Sequence, residues 1–531
     1  MKSFLQRHGS KILGVLSCFD RVRFRGSLRL LCSVRGMASW LNGAGVLLKD
    51  FPAFAQKSTE RLRQSVEEYA EAAGRPIRYL EGKVDKEDLV REIREEQPPK
   101  ENGLIAVLST LETCKSPKIG RNPEKHRLEL RYQATKCLHY YFYFEDGRFG
   151  LTHVRLMTWF PFNVHILVNG REWLARRLDE KAIGYLRRDN CFMEIDDFAR
   201  AQKLADEQPR IDWLGQLERL LRRVHPQPGQ FAPTPEPVEP LSYYWTSEET
   251  EWATDLAFRD PAALAELYPL LTRHGIQTFQ SPDVMRFLGH KLPAHGGVYG
   301  HYAGEIVSDL KRRPEGVRVK HRVRRNSIKM YDKFARVLRI ETTINDPMGL
   351  KAYRRKEGDP NGPKQWLPLR KSVADLPRRV ELSQSANERY LEALGQLETD
   401  TPLSSLTDKL CQPISIGNRR HRGLRPFDPE EVRLLEAVSG GEYEISGFRN
   451  RDLRVALYGP SNSKDKDTAE SVAERRRQAA RISRKLGMLR AHGLIKKISR
   501  THRYLLTTAG RTSIAAILAA RQATPRQLAA A

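Results

Sequence analysis

Cysteine is scarce in this chain and never closely spaced. Six occur in 531 residues, Cys18, Cys32, Cys114, Cys137, Cys191 and Cys411, and none stands in a Cys-x-x-Cys pair. That spacing is what zinc ribbons and fingers require, so that class is not expected. Thiols scattered this widely in a large chain read as reduced and mostly buried, in a cytoplasmic protein. Long apolar runs are missing too. The longest near the N-terminus, residues 12–19, is broken by Gly14 and Ser17. It is too short and too mixed for a signal peptide or a membrane span, so a membrane is not an expected partner. Also absent are the G-x-x-x-x-G-K-[ST] loop, the G-x-S-x-G elbow and the H-E-x-x-H helix. Nucleotide hydrolysis and the common hydrolase classes therefore have no motif to stand on.

What is present is positive charge. The chain carries 91 Lys and Arg against 65 Asp and Glu, a formal net charge of +26. With 40% hydrophobic residues it can still build cores, which argues against general disorder. The excess is local. Residues 471–531 hold 14 Lys/Arg and one acidic residue, and residues 311–340 hold 12 and two. Such self-repelling clusters are the footprint of a polyanion partner, with DNA first and RNA as the alternative.

The pattern along the chain predicts an α+β multidomain protein. Residues 1–80 read as a helical N-terminus, with residues 58–73 an amphipathic helix (Leu62, Val66, Tyr69) ended by Gly74. Residues 110–136 read partly as loop. Strands are expected at 138–144, 151–159 and 164–168, a helix at 171–182, a further strand within 185–195 and a basic helix at 211–224. With the helical segment these make a first α+β unit with an antiparallel sheet, 1–224. Residues 225–240 contain six prolines and read as an extended linker. A second α+β unit, 241–410, is expected to begin with helices at 248–258 and 261–274. A short basic link, 419–425, leads into a last domain that spans 425–531.

That last domain has the most specific pattern. Helices are expected at 428–438, 447–457 and 474–492, the third with Ile482, Leu486 and Leu489 on one face and a stop at Gly493. A hairpin follows, 494–498 with 503–506, and then a final helix. The string RISRKLGMLRAHGLIKKISRTHRYLLTTAGR resembles the recognition helix and wing of MarR-like winged-helix domains. The resemblance covers roughly the last hundred residues. It implies duplex DNA binding, with Arg475, Arg476, Arg481, Arg484, Lys485 and Arg490 facing the major groove and Arg500, His502 and Arg503 at the wing tip. The alternatives are a winged helix used by a non-enzymatic transcription regulator, or for protein contacts.

The second pattern is Asn326-Ser-Ile-Lys-Met-Tyr-Asp-Lys333 followed by Val337-Leu-Arg-Ile-Glu-Thr-Thr343. Alternation predicts a hairpin with Ile328, Met330, Leu338 and Ile340 inward, and Lys329, Tyr331, Lys333, Arg339 and Glu341 on an outer polar face. That set offers a nucleophile or acid (Tyr331), phosphate-binding cations and a carboxylate able to hold a metal. In a purely structural hairpin Lys333 and Glu341 would instead form a cross-strand ion pair. The segment resembles the Y-D-K … L-R-x-E signature of plasmid and filamentous-phage replication initiators, over about 20 residues. The resemblance implies Mg²⁺-dependent nicking of one DNA strand, with Tyr331, Lys333, Arg339 and Glu341 as catalytic candidates and Glu341 as metal ligand. Tyr299 and Tyr302 stand just upstream, and the family's His-hydrophobic-His metal motif is absent from the chain.

Weaker constellations are Glu248, Glu251 and Asp255, which would share one helical face and assist Glu341, and His153 with His165 on neighbouring strands. The aromatic run 140–144 is expected to be core, with stacking on unpaired bases as the alternative. Together these readings favour a DNA-binding protein of mobile-element or replication-initiator type.

Overall fold

The structure, a computed structural model, describes residues 1–531 except 83, 100–101, 125, 225–240, 280, 291–305, 315, 357, 360, 396–402, 418, 440–446, 460–468, 499–500 and 523–531. The expected linker 225–240 and Tyr299, Tyr302 and Arg500 lie outside the described residues. The chain forms two compact units. One comprises residues 5–272 and 307–391; the other comprises residues 273–306 and 392–531 with residues 2–4. Among the described residues no helix is long and apolar enough to cross a membrane.

Among the described residues the first unit is built on one mixed sheet of eleven strands. In chain order these are β1 (Ile12–Leu28), β2 (Ile77–Tyr79), β3 (Leu104–Asn122), β4 (Arg127–Asp146), β5 (Gly150–Met157), β6 (Val164–Asn169), β9 (Tyr243–Phe258), β10 (Ile306–Arg313), β11 (Gly316–Val323), β12 (Asn326–Lys333) and β13 (Val337–Thr343). Two separate hairpins accompany it. One, β7 (Tyr185–Arg188) with β8 (Cys191–Ile195), lies between β6 and β9 in sequence. The other, β14 (Lys351–Arg354) with β15 (Gln365–Pro368), follows β13. The spatial order of the sheet is β10-β11-β12-β13-β9-β1-β6-β5-β4-β3-β2. From β11 to β3 the neighbours are antiparallel, and β2 joins β3 in parallel.

The N-terminus is not all helical. The helix expected over 58–73 begins earlier and spans Phe51–Ala72, and Val34–Gly43 is helical too, but residues 12–28 are the central strand β1. The alternation Val22-Arg23-Phe24-Arg25 is a strand signal, with Val22 and Phe24 fully buried and the arginines on the other side. Residues 104–146 are a long hairpin rather than part loop. Residues 243–258 are a strand, not a helix. Their Tyr, Trp and Thr content suits a pleated, enclosed surface, and β9 is buried between β1 and β13. The two expected α+β units consequently share one sheet: β9, from beyond residues 225–240, pairs along nearly the whole length of β1.

The main core lies where helices Val34–Gly43, Phe51–Ala72, Gly170–Glu180, Phe198–Ala205 and Trp213–Arg222 pack on the sheet, around Phe19, Phe24, Trp40, Phe142, Phe160 and Trp252. Strand β6 pairs with β1 only from Arg21 onward. Before that point side chains meet the β1 amides. Ser17 N donates to Gln202 Oε1 at 2.7 Å and Phe19 N to Gln208 Oε1 at 2.9 Å, which satisfies donors that burial would otherwise leave unpaired. Gly170 is required there, because a Cβ would collide with the Phe19 Cβ and carbonyl.

In the second unit, helices Leu403–Cys411, Pro429–Val438, Asn450–Tyr458, Ala469–Ala491 and Thr508–Gln522 accompany two hairpins, β16 (Ile414–Ile416) with β17 (Arg419–His421) and β18 (Ile495–Lys497) with β19 (Tyr504–Leu506). Asp428 caps its helix through Glu430 N and Glu431 N. Gly493, at φ +71°, ends the basic helix in the left-handed conformation. Leu434, Leu435, Leu453, Ile482, Leu486 and Leu489 join one core.

Candidate functional site

Strands β12, β13, β9 and β1 lie side by side and bring their polar residues to one place. Lys329 stands opposite Glu341, Tyr331 opposite Arg339, and Arg339 opposite Asp255. Alternation then puts Lys329, Tyr331, Arg339, Glu341, Glu251 and Asp255 on the same side of the sheet. Glu251 and Asp255 are four apart, an even number, so a strand keeps them together as the expected helix would have. Glu248, three residues away, goes elsewhere, to His165 and Arg25.

Asp20 enters through an irregularity in β1. Phe19 pairs with Trp252 and Val22 with Thr250, so three steps along β1 match two along β9. The extra residue lets Asp20 and Arg21 both reach toward Glu251, the re-aiming that β-bulges provide. Arg21 Nε lies 3.2 Å from Glu251 Oε2. Asp20, Glu251 and Glu341 each present a carboxylate oxygen within 4.8 Å of the others, and all three are buried. Sequence reading missed Asp20. Its only signal was an acid at the end of an apolar run, in a segment that reads as helical.

The outer polar face expected of the hairpin is thus mostly an interior. Arg339 is fully buried, and Lys329 and Lys333 nearly so. Arg339 donates to Asp255 through Nε at 2.8 Å and Nη2 at 3.0 Å, and Arg171 through Nη1 at 2.8 Å. Both guanidiniums also lie 3.4 Å from Asp20. Asn190 Nδ2 adds bonds of 3.0 and 3.1 Å to that carboxylate. The cross-strand ion pair is not Lys333 with Glu341. Lys329 takes that place, donating to Glu341 and, at 3.0 Å, to Glu251. Lys333 stands opposite Val337, its ammonium 4.9 Å from the Tyr331 ring centre.

Titration separates the acids. Burial would raise Asp20, but Arg339 and Arg171 outweigh it and hold the carboxyl at about 2. Glu341 is pushed up to about 7, by burial first and then by the Glu251 carboxylate, against the pull of Lys329. Burial, with Glu341 next, raises Tyr331, so the resting phenol keeps its proton at neutral pH. Glu341 is thus the acid that a second cation would change most.

Part of the middle basic stretch is neutralised within the fold: five of its twelve cations meet an acidic partner. Arg318 meets Asp309, Arg324 meets Asp346 and Arg336 meets Glu194. Lys329 pairs with Glu251 and Glu341, and Arg339 with Asp255. The C-terminal stretch differs. On helix Ala469–Ala491, Arg476, Arg481, Arg484 and Arg490 are exposed, with no acidic partner among the described residues. Arg475 is half-buried on the same helix. Lys485 departs from the expectation: it lies 3.2 Å from Glu430. In the hairpin after the helix, His502 is exposed, while Arg503 turns back to Gly447 O at 3.1 Å.

The weaker constellations resolve simply. His165 stands opposite Arg155, and His153 opposite Leu167, so the two histidines are diagonal neighbours rather than a directly opposed pair. Tyr140, Phe142 and Phe144 enter the main core, while Tyr141 and Tyr143 join a second cluster with Val90 of helix Lys86–Glu96. Neither row is free to stack on bases. Cys32 and Cys411 are exposed and Cys114 half-buried, so burial holds only for Cys18, Cys137 and Cys191.

No protein-family model, curated protein or solved structure matches the chain. The chemistry of the acidic cluster and of the basic helix is what points to a function.

Proposed function

We propose that the protein binds duplex DNA through a winged helix formed by its C-terminal residues, and that the large sheet carries a divalent-metal-dependent activity that cuts one DNA strand. The observation that carries the binding is the helix Ala469–Ala491. Ile482, Leu486 and Leu489 bury one face. Arginines without an acidic partner among the described residues project from the rest. Such a helix is dimensioned for a major groove about 12 Å wide, with its outer arginines toward base edges and phosphates. The hairpin β18–β19, with His502 beyond Lys497, suits a wing beside it.

The cutting activity is favoured by Asp20, Glu251 and Glu341. Three buried carboxylate oxygens within 4.8 Å form the hard oxygen set that Mg²⁺ takes. A metal held there supplies a Lewis acid for a phosphodiester oxygen. Lys329 would give up its two carboxylate bonds to the metal, and Arg21, exposed at the edge of the cluster, would meet the phosphate. Tyr331 is on the same side of the sheet, with Lys333 against its ring to stabilise a developing phenolate. The replication-initiator resemblance makes Tyr331 a catalytic candidate without assigning it as the nucleophile.

Supercoiled plasmid and Mg²⁺ test both halves. The expected outcome is nicking that disappears on chelation and in Glu341→Gln, with duplex affinity unchanged in that variant. Tight, salt-steep duplex binding with no nicking under any divalent metal sinks the cutting activity and leaves a non-enzymatic regulator. Loss of nicking in Tyr331→Phe assigns the nucleophile to the tyrosine; retention assigns it to water.

A further inference from the structure

Close to the basic helix, the short basic stretch after residue 418 forms one strand of a small hairpin. The hairpin β16–β17 pairs Ile414 with His421, Ser415 with Arg420 and Ile416 with Arg419 across a tight turn at Gly417, whose φ is +57°. Its root is fixed. Leu424 N donates to Leu410 O at 2.7 Å, and both leucines are buried in the core of this unit. Gly423 passes so near Cys411 that an added Cβ would overlap that carbonyl. Arg425 N donates to Glu431 Oε2 at 2.7 Å, and the Arg422 guanidinium binds the other oxygen of the same buried carboxylate. The Arg422 carbonyl lies 2.9 Å from His492 Nε2, next to the end of the basic helix.

Anchored in this way, the hairpin and the helix enclose a cleft of about 650 Å³, whose walls include Arg419, Arg420, Arg422, Ser483, Arg484 and Lys485. All but the serine are cations. Two are already matched, Arg422 by Glu431 and Lys485 by Glu430. Arg419, Arg420 and Arg484 are exposed and have no acidic partner among the described residues. Ser483 Oγ accepts from Asn450 Nδ2 at 2.9 Å, so its own proton is free to donate. In the pair Lys485–Glu430 the carboxylate is 69% exposed and screened by solvent, so it contributes little to holding the lysine, whose side chain is 18% exposed. A concave wall of forked guanidinium donors, a hydroxyl donor and a weakly held lysine is matched to phosphate oxygens.

We propose that this cleft is a phosphate clamp. It holds the sugar–phosphate backbone of the duplex whose groove the helix enters, with Arg419 and Arg420 on the hairpin and Arg484 on the helix gripping adjacent phosphates. This rests on duplex binding by the C-terminal unit and adds to it a second contacting element. A backbone clamp fixes register without reading sequence, so its contribution is electrostatic and independent of the DNA sequence.

The test uses the full-length protein and fluorescein-labelled duplexes of two unrelated sequences, titrated by anisotropy over a range of KCl. Each phosphate contact contributes about 0.9 to the slope of log K against log salt. Arg419→Ala/Arg420→Ala is expected to reduce that slope by roughly 2 on both duplexes. It should weaken binding about tenfold or more at low salt, with the melting curve unchanged. Arg419→Lys/Arg420→Lys should restore most of the slope, since charge is what is counted. A double-alanine variant with the wild-type slope and affinity overturns the clamp while leaving duplex binding by the helix intact. Preference for double-stranded RNA over DNA in the wild type, lost in the double-alanine variant, overturns the DNA assignment of the cleft. Failure of the wild-type protein to bind any duplex overturns the clamp together with the reading beneath it.

Discussion

Glu341 is the residue on which most of the site chemistry turns. Its folded-state pKa, about 7, lies above the ordinary carboxylate value, so the folded protein favours the protonated form. The contribution to stability is therefore full below the unfolded pKa. It is lost as pH rises through 7, falling by about 1.4 kcal/mol for each pH step between the two values. Asp20 runs the other way. Held at about 2, it stabilises the fold above its ordinary pKa and loses that contribution only as pH falls toward 2. A metal that binds at the cluster must displace the Glu341 proton. Mg²⁺ affinity, followed by calorimetry, should rise with pH up to about 7 and level off above it. In Glu341→Gln the binding heat should vanish while the protein loses little stability at neutral pH. An unchanged Mg²⁺ titration in that variant would remove the cluster as a metal site. Arg339 is different in kind. Arg339→Met leaves Asp255 and Asp20 buried with Arg171 as their remaining guanidinium, and should cost about 3–5 kcal/mol in chemical denaturation whether or not metal is present. The presence of Tyr331, Lys333, Arg339 and Glu341 on one side of the sheet was legible in the alternation of residues 326–343. Their burial was not, because Asn190, Arg171 and Asp20 come from segments at least 149 residues from Arg339 in sequence.

At the scale of elements, what could be read was what is local. The elements of residues 428–522 follow from signals within a few positions of each boundary: Asp428 as a cap, Gly493 as a stop, and Ile482, Leu486 and Leu489 at helical spacing. Strand β9 shows the opposite. Glu248, Glu251 and Asp255 invite a helix when residues 248–258 are considered alone. Only pairing with β1 and β13, which the sequence does not display, makes the segment a strand. Hairpin β3–β4 was obscured for a related reason. From Glu112 to Lys118 its first strand is polar on both faces and lacks the apolar period that marks a half-buried strand, whereas the second strand does alternate, with Leu128, Leu130, Tyr132 and Ala134 between Arg127, Glu129, Arg131 and Gln133, a signal that went unread. The same hairpin brings Cys114 Sγ to 2.9 Å from Cys137 Sγ, on residues offset diagonally between the strands. Mild oxidation with a low-molecular-weight disulfide should join these two thiols before any other pair. Peptide mapping after alkylation checks this, and recovery of both as free thiols would refute it.

For the molecule as a whole, residues 225–240 mislead. A proline-rich segment between two patterned regions reads as a domain boundary, and composition alone supports that. Yet β1 lies between β6 on one side and β9 on the other, and β9 belongs to the far side of that segment. A fragment ending at residue 224 would present the β9-facing edge of β1 unpaired, with the row from Leu16 to Leu28 open to other chains. Such a fragment should aggregate or bind a hydrophobic dye without a cooperative melt, whereas one ending at residue 391 should melt cooperatively. A cooperative transition in the shorter fragment would restore the two-domain division.

The same strand order sets a clock on biosynthesis. Asp20 precedes Glu251 and Glu341 in synthesis, and neither can join it until β9 and β13 have been made. At elongation rates of about 5–20 residues per second that delay is more than about ten seconds. Throughout it, the strand destined for the middle of the sheet has no lasting neighbour on its β9 side, which makes it a natural client for chaperones that hold extended apolar segments. A chain released before residue 341 also lacks one of the three carboxylates. The acidic cluster is therefore complete only in chains extended through β13.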